Sequence, residues 1–252
     1  MPIALFEDWL QATEAPYAGI QRFVEIDGSQ PAGVARIRKL LADHFVGEAV
    51  IMRMGGLDEA ADTIANSLPI GKRTQSGDLG ELLATEFVDE KTSFTIPIRK
   101  LRWKSDRKMP MHGNDIIATR PKAAGGVTVM KGESKSAATM SRNTITGAAE
   151  GLEQHDGRPN PSTLAFITKR LYEEGRDAEG QIYKTLQAEG GLADANVVHW
   201  IFALSGKDPS NLLANAPEPK KKAIKRRAVA FVVTDHAALV AAVFKIRHGA
   251  KP

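Results

Sequence analysis

The sequence predicts a mixed α/β protein whose core runs in the order helix, three strands, helix, strand. Apolar residues recur at helical spacing in the segments 76–88 and 142–154. Short β-branched runs, separated by glycine and proline, lie between these two segments. A further apolar run, 163–168, is predicted as a buried strand that the chain reaches through the second helix. Helices that alternate with strands in this way favour a mixed α/β core.

The first part of the chain, 1–74, is predicted as an N-terminal α/β region. Its predicted elements are a helix Ala4–Gln11, a strand Phe23–Ile26, a helix Ala32–His44, a strand Glu48–Met54 and a helix Leu57–Leu68. Residues 1–90 hold 7 Lys and Arg against 15 Asp and Glu. This acidic part of the chain is a candidate docking surface for a partner or, alternatively, a shield over a basic groove.

The helix predicted over Ser76–Val88 carries two glutamates of interest. Glu86 falls within the apolar stripe of this helix, and Glu81 falls on the opposite side. A carboxylate that faces a core is usually paired or bound to a metal. Either glutamate is therefore a candidate to support a site, and the alternative for each is an ordinary surface glutamate.

The segment that follows is strongly basic. Residues 91–142 hold 12 Lys and Arg against three acidic residues. A strand predicted over Ser93–Lys104 places alternate basic side chains on one face, where they either contact phosphates or keep an edge strand soluble. The candidate phosphate contacts are Lys100, Arg102, Lys104, Arg107, Lys108 and Arg142.

Within this basic segment, two strand-like runs flank a connection rich in glycine and proline and predict a hairpin. The runs are Asn114–Thr119 and Val127–Lys135. A turn centred between them places Asp115 directly opposite Glu133, with Cβ atoms about 5 Å apart. Because side chains alternate along a strand, Lys135 shares the face of Glu133.

Two carboxylates and an ammonium group on one face predict a site for Mg²⁺ or Mn²⁺. Magnesium takes oxygen ligands and usually binds one or two protein carboxylates together with water and phosphate. Asp115, Glu133 and the carbonyl of Ser134 are the predicted ligands. Lys135 is predicted to orient water, to neutralise phosphate charge or to act as a base. This chemistry is phosphodiester hydrolysis.

The spacing of G-N-D at 113–115 and G-E-S-K at 132–135 resembles the signature of the PD-(D/E)xK nuclease superfamily. Together with L-G-E-L-L at 79–83, this order is similar to the HamA family, the nuclease subunits of the bacterial Hachiman anti-phage system. The resemblance covers about residues 75–170, although Asn114 replaces the superfamily's frequent proline.

The resemblance implies a restriction-endonuclease-like α-β-β-β-α-β core and DNA cleavage controlled by a partner helicase. It implies that Asp115 and Glu133 bind the metal and that Lys135 completes catalysis. Glu81, Glu86 and Gln154, which lie on the flanking helices, are the supporting candidates.

The last part of the chain, 171–252, is predicted as a helical region with a basic linker and a final strand and helix. Its predicted elements are a helical region Tyr172–Ser205, a loop Ser205–Arg227, a strand Val229–Val233 and a helix His236–Arg247. The cluster Lys220–Arg227 is a nucleic-acid contact, a nuclear address or a solvated loop.

The composition excludes several rival chemistries. Cysteine is absent, so there is neither a thiolate metal site nor a disulfide framework. The Gly71-Lys72 pair lacks the first glycine of a phosphate loop, and the scattered histidines form no zinc pair. With no apolar run long enough to span a membrane and no signal peptide, a cytoplasmic location is expected.

Two alternatives to the helicase-controlled defence nuclease remain open from the sequence. The first is a restriction or repair nuclease of the same fold that acts alone. The second is a nucleic-acid-binding partner subunit with a degenerate site, in which the carboxylates are structural.

Overall fold

The computed structural model describes residues 5–52, 54, 57–109, 113–188 and 192–245. Within them, six strands form one sheet in the order β1-β2-β6-β5-β4-β3. The strands are β1 (Leu10–Thr13), β2 (Ile20–Glu25), β3 (Ile116–Pro121), β4 (Val127–Ala137), β5 (Val197–Ser205) and β6 (Lys225–Val232). The pairs β2–β6, β6–β5 and β5–β4 are parallel, whereas β1–β2 and β3–β4 are antiparallel.

Helices cover both faces of the sheet. They are α1 (Gln30–Phe45), α2 (Glu48–Ile51), α3 (Leu57–Ser67), α4 (Lys72–Lys91), α5 (Arg142–Glu153), α6 (Pro161–Glu173), α7 (Asp177–Gln187), α8 (Ser210–Ala214) and α9 (His236–Phe244). No helix in the described ranges combines the length and the low polarity needed to cross a membrane.

The core divides according to the alternation of side chains along the strands. On β5, Trp200 and Phe202 pack on the face that α1, α4 and α9 cover, and Ile201 packs on the face that α5 and α8 cover. Phe87 of α4 lies at the centre of the first face, 6.0 Å from the ring of Phe202 and 5.7 Å from that of Phe231. Burial of a side chain of this size stabilises the fold by about 1.5–3 kcal/mol.

Several predicted elements are confirmed. The helices predicted from residues 32, 57, 76, 142 and 236 correspond to α1, α3, α4, α5 and α9, although the last two residues of the final one lie outside the described part of the chain. Strands β2, β3, β4 and β6 stand where strands were predicted. The hairpin register is also confirmed, because Ile116 pairs with Gly132 and Ile117 with Lys131.

The strand predicted over Thr163–Thr168 is wrong, because this run lies inside α6. The side chain of Asn160 caps α6 by accepting a hydrogen bond from the backbone N–H of Ser162 at 2.8 Å, and Pro161 occupies the first helical position. A short buried apolar run has no periodicity that distinguishes a strand from a helix. The cap and the proline therefore favour a helix over a strand in this run.

The strand predicted over Ser93–Lys104 is also wrong. Only Thr95 pairs with Thr119 as an isolated bridge, and a 3-10 turn follows at Lys100–Trp103. Arg99 and Lys104 pair with carboxylates of α4, whereas Arg102 pairs with Asp43 of α1, so these cations do not share one strand face.

Four further predictions fail in whole or in part. Residues 5–9 of the predicted first helix form bends that lead into β1, and Ala4 lies outside the described residues. The strand predicted over Glu48–Met54 is largely helix α2. The helical region predicted over Tyr172–Ser205 ends in β5, whose β-branched and aromatic composition is that of a buried parallel strand. The loop predicted over Ser205–Arg227 contains the short α8.

The strand reached by a helical crossover is therefore β5. Three helices, α5 to α7, connect β4 to β5, and β4 then pairs with β5 along nine residues from Val129 to Ala137. The sheet draws strands from all three predicted regions of the chain, with β6 lying between β2 and β5. The fold is mixed α+β, and the predicted division into three regions stays a prediction.

Candidate metal centre

The β3–β4 hairpin brings the two predicted metal ligands together. Asp115 immediately precedes β3, and its Oδ2 accepts a hydrogen bond from the backbone N–H of Ser134 at 2.9 Å. Ser134 is the neighbour of Glu133 on β4, so this bond fixes one carboxylate beside the other. The confirmed register is therefore what assembles the pair.

Glu133 is largely buried, and its surroundings favour the neutral form. Burial, followed by the charge of Asp115, raises the pKa of Glu133 to about 7, while Lys135 and Lys131 oppose this rise. Two adjacent carboxyl groups with too little compensating positive charge are suited to a cation. The donor set fits Mg²⁺ or Mn²⁺, which needs only one or two protein carboxylates.

Lys135 lies on the same face as Glu133, as predicted. Its Nζ is 3.1 Å from Oε2 of Glu133, and about a third of its side chain is exposed. The ammonium group is thus held at the carboxylates but remains open to solvent. Asp115, Glu133 and Lys135 form the cluster that we call the hairpin site.

Helix α5 closes the hairpin site on one side through a glycine. A Cβ atom added at Gly151 would lie 3.3 Å from Cδ of Glu133 and 3.4–3.5 Å from its two carboxylate oxygens. One turn earlier, a Cβ at Gly147 would meet no atom within 4 Å. Glycine at 151 therefore lets the helix backbone approach the carboxylate closely.

Helix α4 covers the opposite face of β4 and carries Glu81. Burial raises the pKa of Glu81 to about 8; Asp115 and Asp78 act in the same direction, and Lys100 opposes them. Glu81 thus interacts electrostatically with the hairpin site. Among the described residues, however, no three His, Cys, Asp or Glu side chains form a group that could hold a metal ion.

The two secondary candidates have partners elsewhere. Glu86 accepts hydrogen bonds from Arg99 at 2.8 Å and pairs with His44 at 2.7 Å. Burial raises the pKa of Glu86, but the His44 hydrogen bond and the charges of His44 and Arg99 outweigh burial, so the net shift is downward. Gln154 has an exposed side chain and contributes its carbonyl oxygen to the ammonium group of Lys131, at 2.8 Å.

Most of the predicted phosphate contacts bind groups of the protein itself. Lys104 forms a buried ion pair with Asp78 at 2.6 Å, and Arg102 donates to the backbone and carboxylate of Asp43. Arg107 donates to the carbonyl oxygens of Leu68 and Ala65. The strand face that Lys100, Arg102 and Lys104 were predicted to share is therefore wrong, whereas the phosphate contacts themselves stay a prediction.

The other predicted contacts are more accessible. Lys100 donates to the carbonyl of Asn114 at 2.7 Å and remains partly exposed. Lys108 and Arg142 are exposed, and Arg142 begins α5. Lys100 adjoins the hairpin site directly through Asn114.

The structural roles of two residues in this region were not predicted from the sequence. Lys131 is fully buried on β4, and its Nζ donates to the carbonyls of Leu152 and Gln154 at 2.8 Å each. Burial lowers the pKa of Lys131 to about 8, against the opposing charges of Glu133 and Glu153. Because side chains alternate along β4, Lys131 lies on the same face as Glu133 and Lys135. A lysine in a strand is nevertheless expected to have an exposed side chain, so its burial was not predicted.

The second missed residue is Asn114. It is buried, its backbone N–H donates to Oγ1 of Thr163 at 3.2 Å, and its Oδ1 accepts from the backbone N–H of Asn160 at 2.7 Å. These bonds hold the start of β3 against the first turn of α6. Asn114 stands where the superfamily often has proline, and this difference was the feature of the sequence that could have drawn attention to it.

The fold and the hairpin site define a mixed α+β protein with paired carboxylates, a lysine and a candidate cation site at one hairpin. The family model HamA matches residues 5–246, and the chain belongs to this family. A Hachiman protein HamA of Bacillus cereus is 26% identical over 221 residues, which cover 83% of this chain and 79% of the relative. The match extends well beyond residues 75–170.

Proposed function

We propose that this chain is a Mg²⁺-dependent deoxyribonuclease of the PD-(D/E)xK type that acts in Hachiman anti-phage defence. The observation that carries the proposal is the hydrogen bond that joins Asp115 to the strand of Glu133 and Lys135. The name of the Bacillus cereus relative and the family membership support the defence role. We include in this proposal that the chain has the superfamily's α-β-β-β-α-β core, in which β5 is the last strand.

The residues of the hairpin site divide the chemistry among them. Asp115, Glu133 and the carbonyl of Ser134 would hold the ion, which when bound supplies Lewis acidity at the phosphoryl oxygen and the attacking water. Lys135 orients that water and offsets negative charge as the water oxygen bonds to phosphorus. The attacking water gives up one proton, the bond from phosphorus to the leaving oxygen breaks, and the leaving oxygen takes up one proton. One end of the cut strand then carries the phosphate and the other end carries a hydroxyl group.

Substitution at the hairpin site tests this proposal. We expect Glu133→Gln and Lys135→Met each to lower DNA cleavage in Mg²⁺ roughly 100-fold or more, because the first removes a ligand of the metal ion and the second removes positive charge at the reacting phosphate. Glu150→Gln removes an exposed carboxylate from the adjacent helix α5 and is the matched control. Cleavage that both site variants retain would refute the hairpin site as the centre of cleavage, and DNA binding without cleavage by the wild-type chain would favour a binding subunit.

We also propose that a helicase subunit controls this activity, with the acidic first 90 residues as its docking surface. The chain has no phosphate-loop motif of its own, so ATP-driven movement on DNA needs a second protein. Copurification of a tagged chain from its host tests the partner. Capture of an ATPase supports helicase control, and full cleavage activity by the chain alone, unchanged by any partner, supports the stand-alone nuclease.

A further inference from the structure

A cavity of about 580 Å³ lies beside the hairpin site and has no role in the chemistry above. The 3-10 turn at Lys100–Trp103 forms one wall, and the first turns of α6 form the other. The side chains that matter here are Lys100, Trp103, Asn160, Ser162, Thr163 and Phe166. The cavity therefore combines aromatic and polar walls.

The cavity adjoins the hairpin site. A narrow recess of about 20 Å³ is lined by Asp115 and shares Lys100, Thr163 and Phe166 with the larger cavity. Asn114 ties the same wall to the start of β3 through Thr163. A group that enters the cavity is thus separated from Asp115 by this recess alone.

Two aromatic side chains line the cavity, Trp103 and Phe166. Their rings meet edge to face, with ring centroids 6.5 Å apart. The guanidinium of Arg170, which does not line the cavity, lies 4.0 Å from the centroid of Trp103. The Nε1 donor of Trp103 is buried and has no hydrogen-bond partner among the residues that the structure describes.

The Nε1–H of Trp103 is closed to solvent, so a ligand in the cavity meets the indole through the part of the ring that lines the cavity and not through the N–H. A planar ligand is suited to stack there. The hydroxyl of Ser162 and the side chain of Asn160 offer further polar contacts along the same wall. The ammonium group of Lys100 adds positive charge between this wall and Asp115.

We propose that the cavity receives an unpaired nucleobase of the DNA strand that is cut, stacked on Trp103. The proposal rests on the nuclease function and names its substrate as single-stranded or locally opened DNA. A base inside a duplex is stacked on its neighbours and does not reach the cavity, whereas an unpaired base presents both its ring face and its polar edge. Stacking on an aromatic side chain contributes about 1–3 kcal/mol per base.

Binding measured without divalent ions separates this cavity from the cleavage chemistry. The probe is a fluorescein-labelled oligothymidylate of about ten nucleotides in EDTA, followed by anisotropy. The comparison probes are a duplex of equal length and a strand of abasic sites with the same phosphates. We expect the full chain to bind the oligothymidylate roughly tenfold or more tightly than either comparison probe.

The variants Trp103→Leu and Trp103→Phe locate this preference. Trp103→Leu is expected to lower the affinity for the oligothymidylate at least tenfold and leave the abasic strand unaffected, whereas Trp103→Phe retains most of the preference. Tyr172→Leu is the matched control, because Tyr172 lines a cavity of about 550 Å³ on another side of α6, away from Asp115. Circular dichroism checks that each variant is folded.

Three outcomes would overturn the cavity proposal. They are equal binding of duplex and single strand, an unchanged preference in Trp103→Leu, and full competition by free thymidine monophosphate, which would indicate a mononucleotide site.

The nuclease proposal can be refuted separately from the cavity proposal. A chain that binds bases through Trp103 but never cuts DNA in Mg²⁺ refutes the nuclease alone, and a chain that cuts DNA with unaltered binding in Trp103→Leu refutes the cavity alone.

Discussion

At the scale of single residues, the hairpin site depends on the space that Gly151 leaves free. A methyl group at 151 meets the carboxylate of Glu133, whereas a methyl group at 147 meets open space. Both substitutions improve helix propensity by roughly 0.5–1 kcal/mol, because alanine replaces glycine within α5. The two positions therefore separate the helix effect from the site effect.

We expect Gly147→Ala to raise stability and leave cleavage unchanged. Gly151→Ala should lower cleavage because it displaces the Glu133 carboxylate, and Gly151→Val should lower it further. Urea unfolding measures the stability, and single-turnover cleavage measures the activity. Equal cleavage by the alanine variants at 147 and 151 would show that the close approach of Gly151 has no part in the site.

The raised pKa of Glu133 predicts how stability depends on pH in metal-free protein. This carboxyl binds its proton more tightly in the folded chain than in the unfolded chain, where its pKa is near 4.5. Its contribution to stability is therefore fully present below pH 4.5 and is lost as the pH rises through about 7.

Glu133→Gln removes this dependence, because the amide stays neutral at every pH. We expect the variant to be more stable than the wild type by roughly 1–3 kcal/mol at pH 8 and to match it near pH 4.5. Urea unfolding in EDTA at the two pH values measures the difference. Mg²⁺ should stabilise the wild type at pH 8 and have little effect on the variant, and the reverse order would contradict Glu133 as a ligand.

At the scale of elements, the hairpin was the part of the site that the sequence predicted best. Its register depends on a local turn and on period-two alternation, and both are visible within about twenty residues. The position of α4 could not be predicted in the same way, because Glu81 and Glu86 are both buried although they face different neighbours. Local periodicity does not identify the element that covers each face.

The junction between β3 and α6 predicts a role for Asn114 in positioning Asp115. Asn114→Ala leaves the backbone N–H of Asn160 without its acceptor, which costs about 1–3 kcal/mol for a buried group. We expect a lower urea midpoint and, under conditions where the variant is folded, slower cleavage at unchanged DNA affinity. Asn215→Ala, which removes an exposed amide from the end of α8, is the control.

Asn114→Asp keeps an acceptor for the same N–H and should recover most of the cleavage. Recovery would assign the loss to the position of Asp115 rather than to general destabilisation. If Asn114→Ala cleaves DNA as fast as the wild type, the start of β3 needs no such support.

The two false strands share an apolar run but have different physical causes. Residues 93–104 and 163–168 both contain apolar runs, but ion pairs to α1 and α4 bend the first and an asparagine cap begins a helix in the second. The structure of residues 93–104 depends on contacts with residues distant in sequence, so the local sequence pattern could not have predicted it. The cap and proline at 160–161 were present in the sequence and outweigh the apolar run.

At the scale of the whole molecule, the sheet links the two ends of the chain. Residues 20–24 of β2 pair with residues 228–232 of β6, which lies between β2 and β5. The sequence predicted these strands separately but held no local signal for their pairing, since parallel partners need no turn between them. The family resemblance found from 75–170 likewise holds over residues 5–246.

We expect the described fold to unfold in a single transition, because removal of either terminal part exposes a central strand of the sheet. The midpoints of urea unfolding followed by far-ultraviolet circular dichroism and by tryptophan fluorescence should coincide. Trp9 reports on the amino-terminal part and Trp200 on the centre of the sheet. A separate early transition seen in a variant with both Trp103→Phe and Trp200→Phe, where Trp9 is the remaining tryptophan, would indicate an independent amino-terminal domain.

Lys131 allows the opening of the hairpin site to be timed chemically. Its side chain is fully buried under the last residues of α5, where its Nζ donates to the carbonyl of Leu152 at 2.8 Å. An acylating reagent reaches it only while that end of the helix is detached from the strand. Mass spectrometry measures the rate at which this one lysine is modified. That rate therefore reports how often the C-terminal end of α5 separates from β4 beside Glu133.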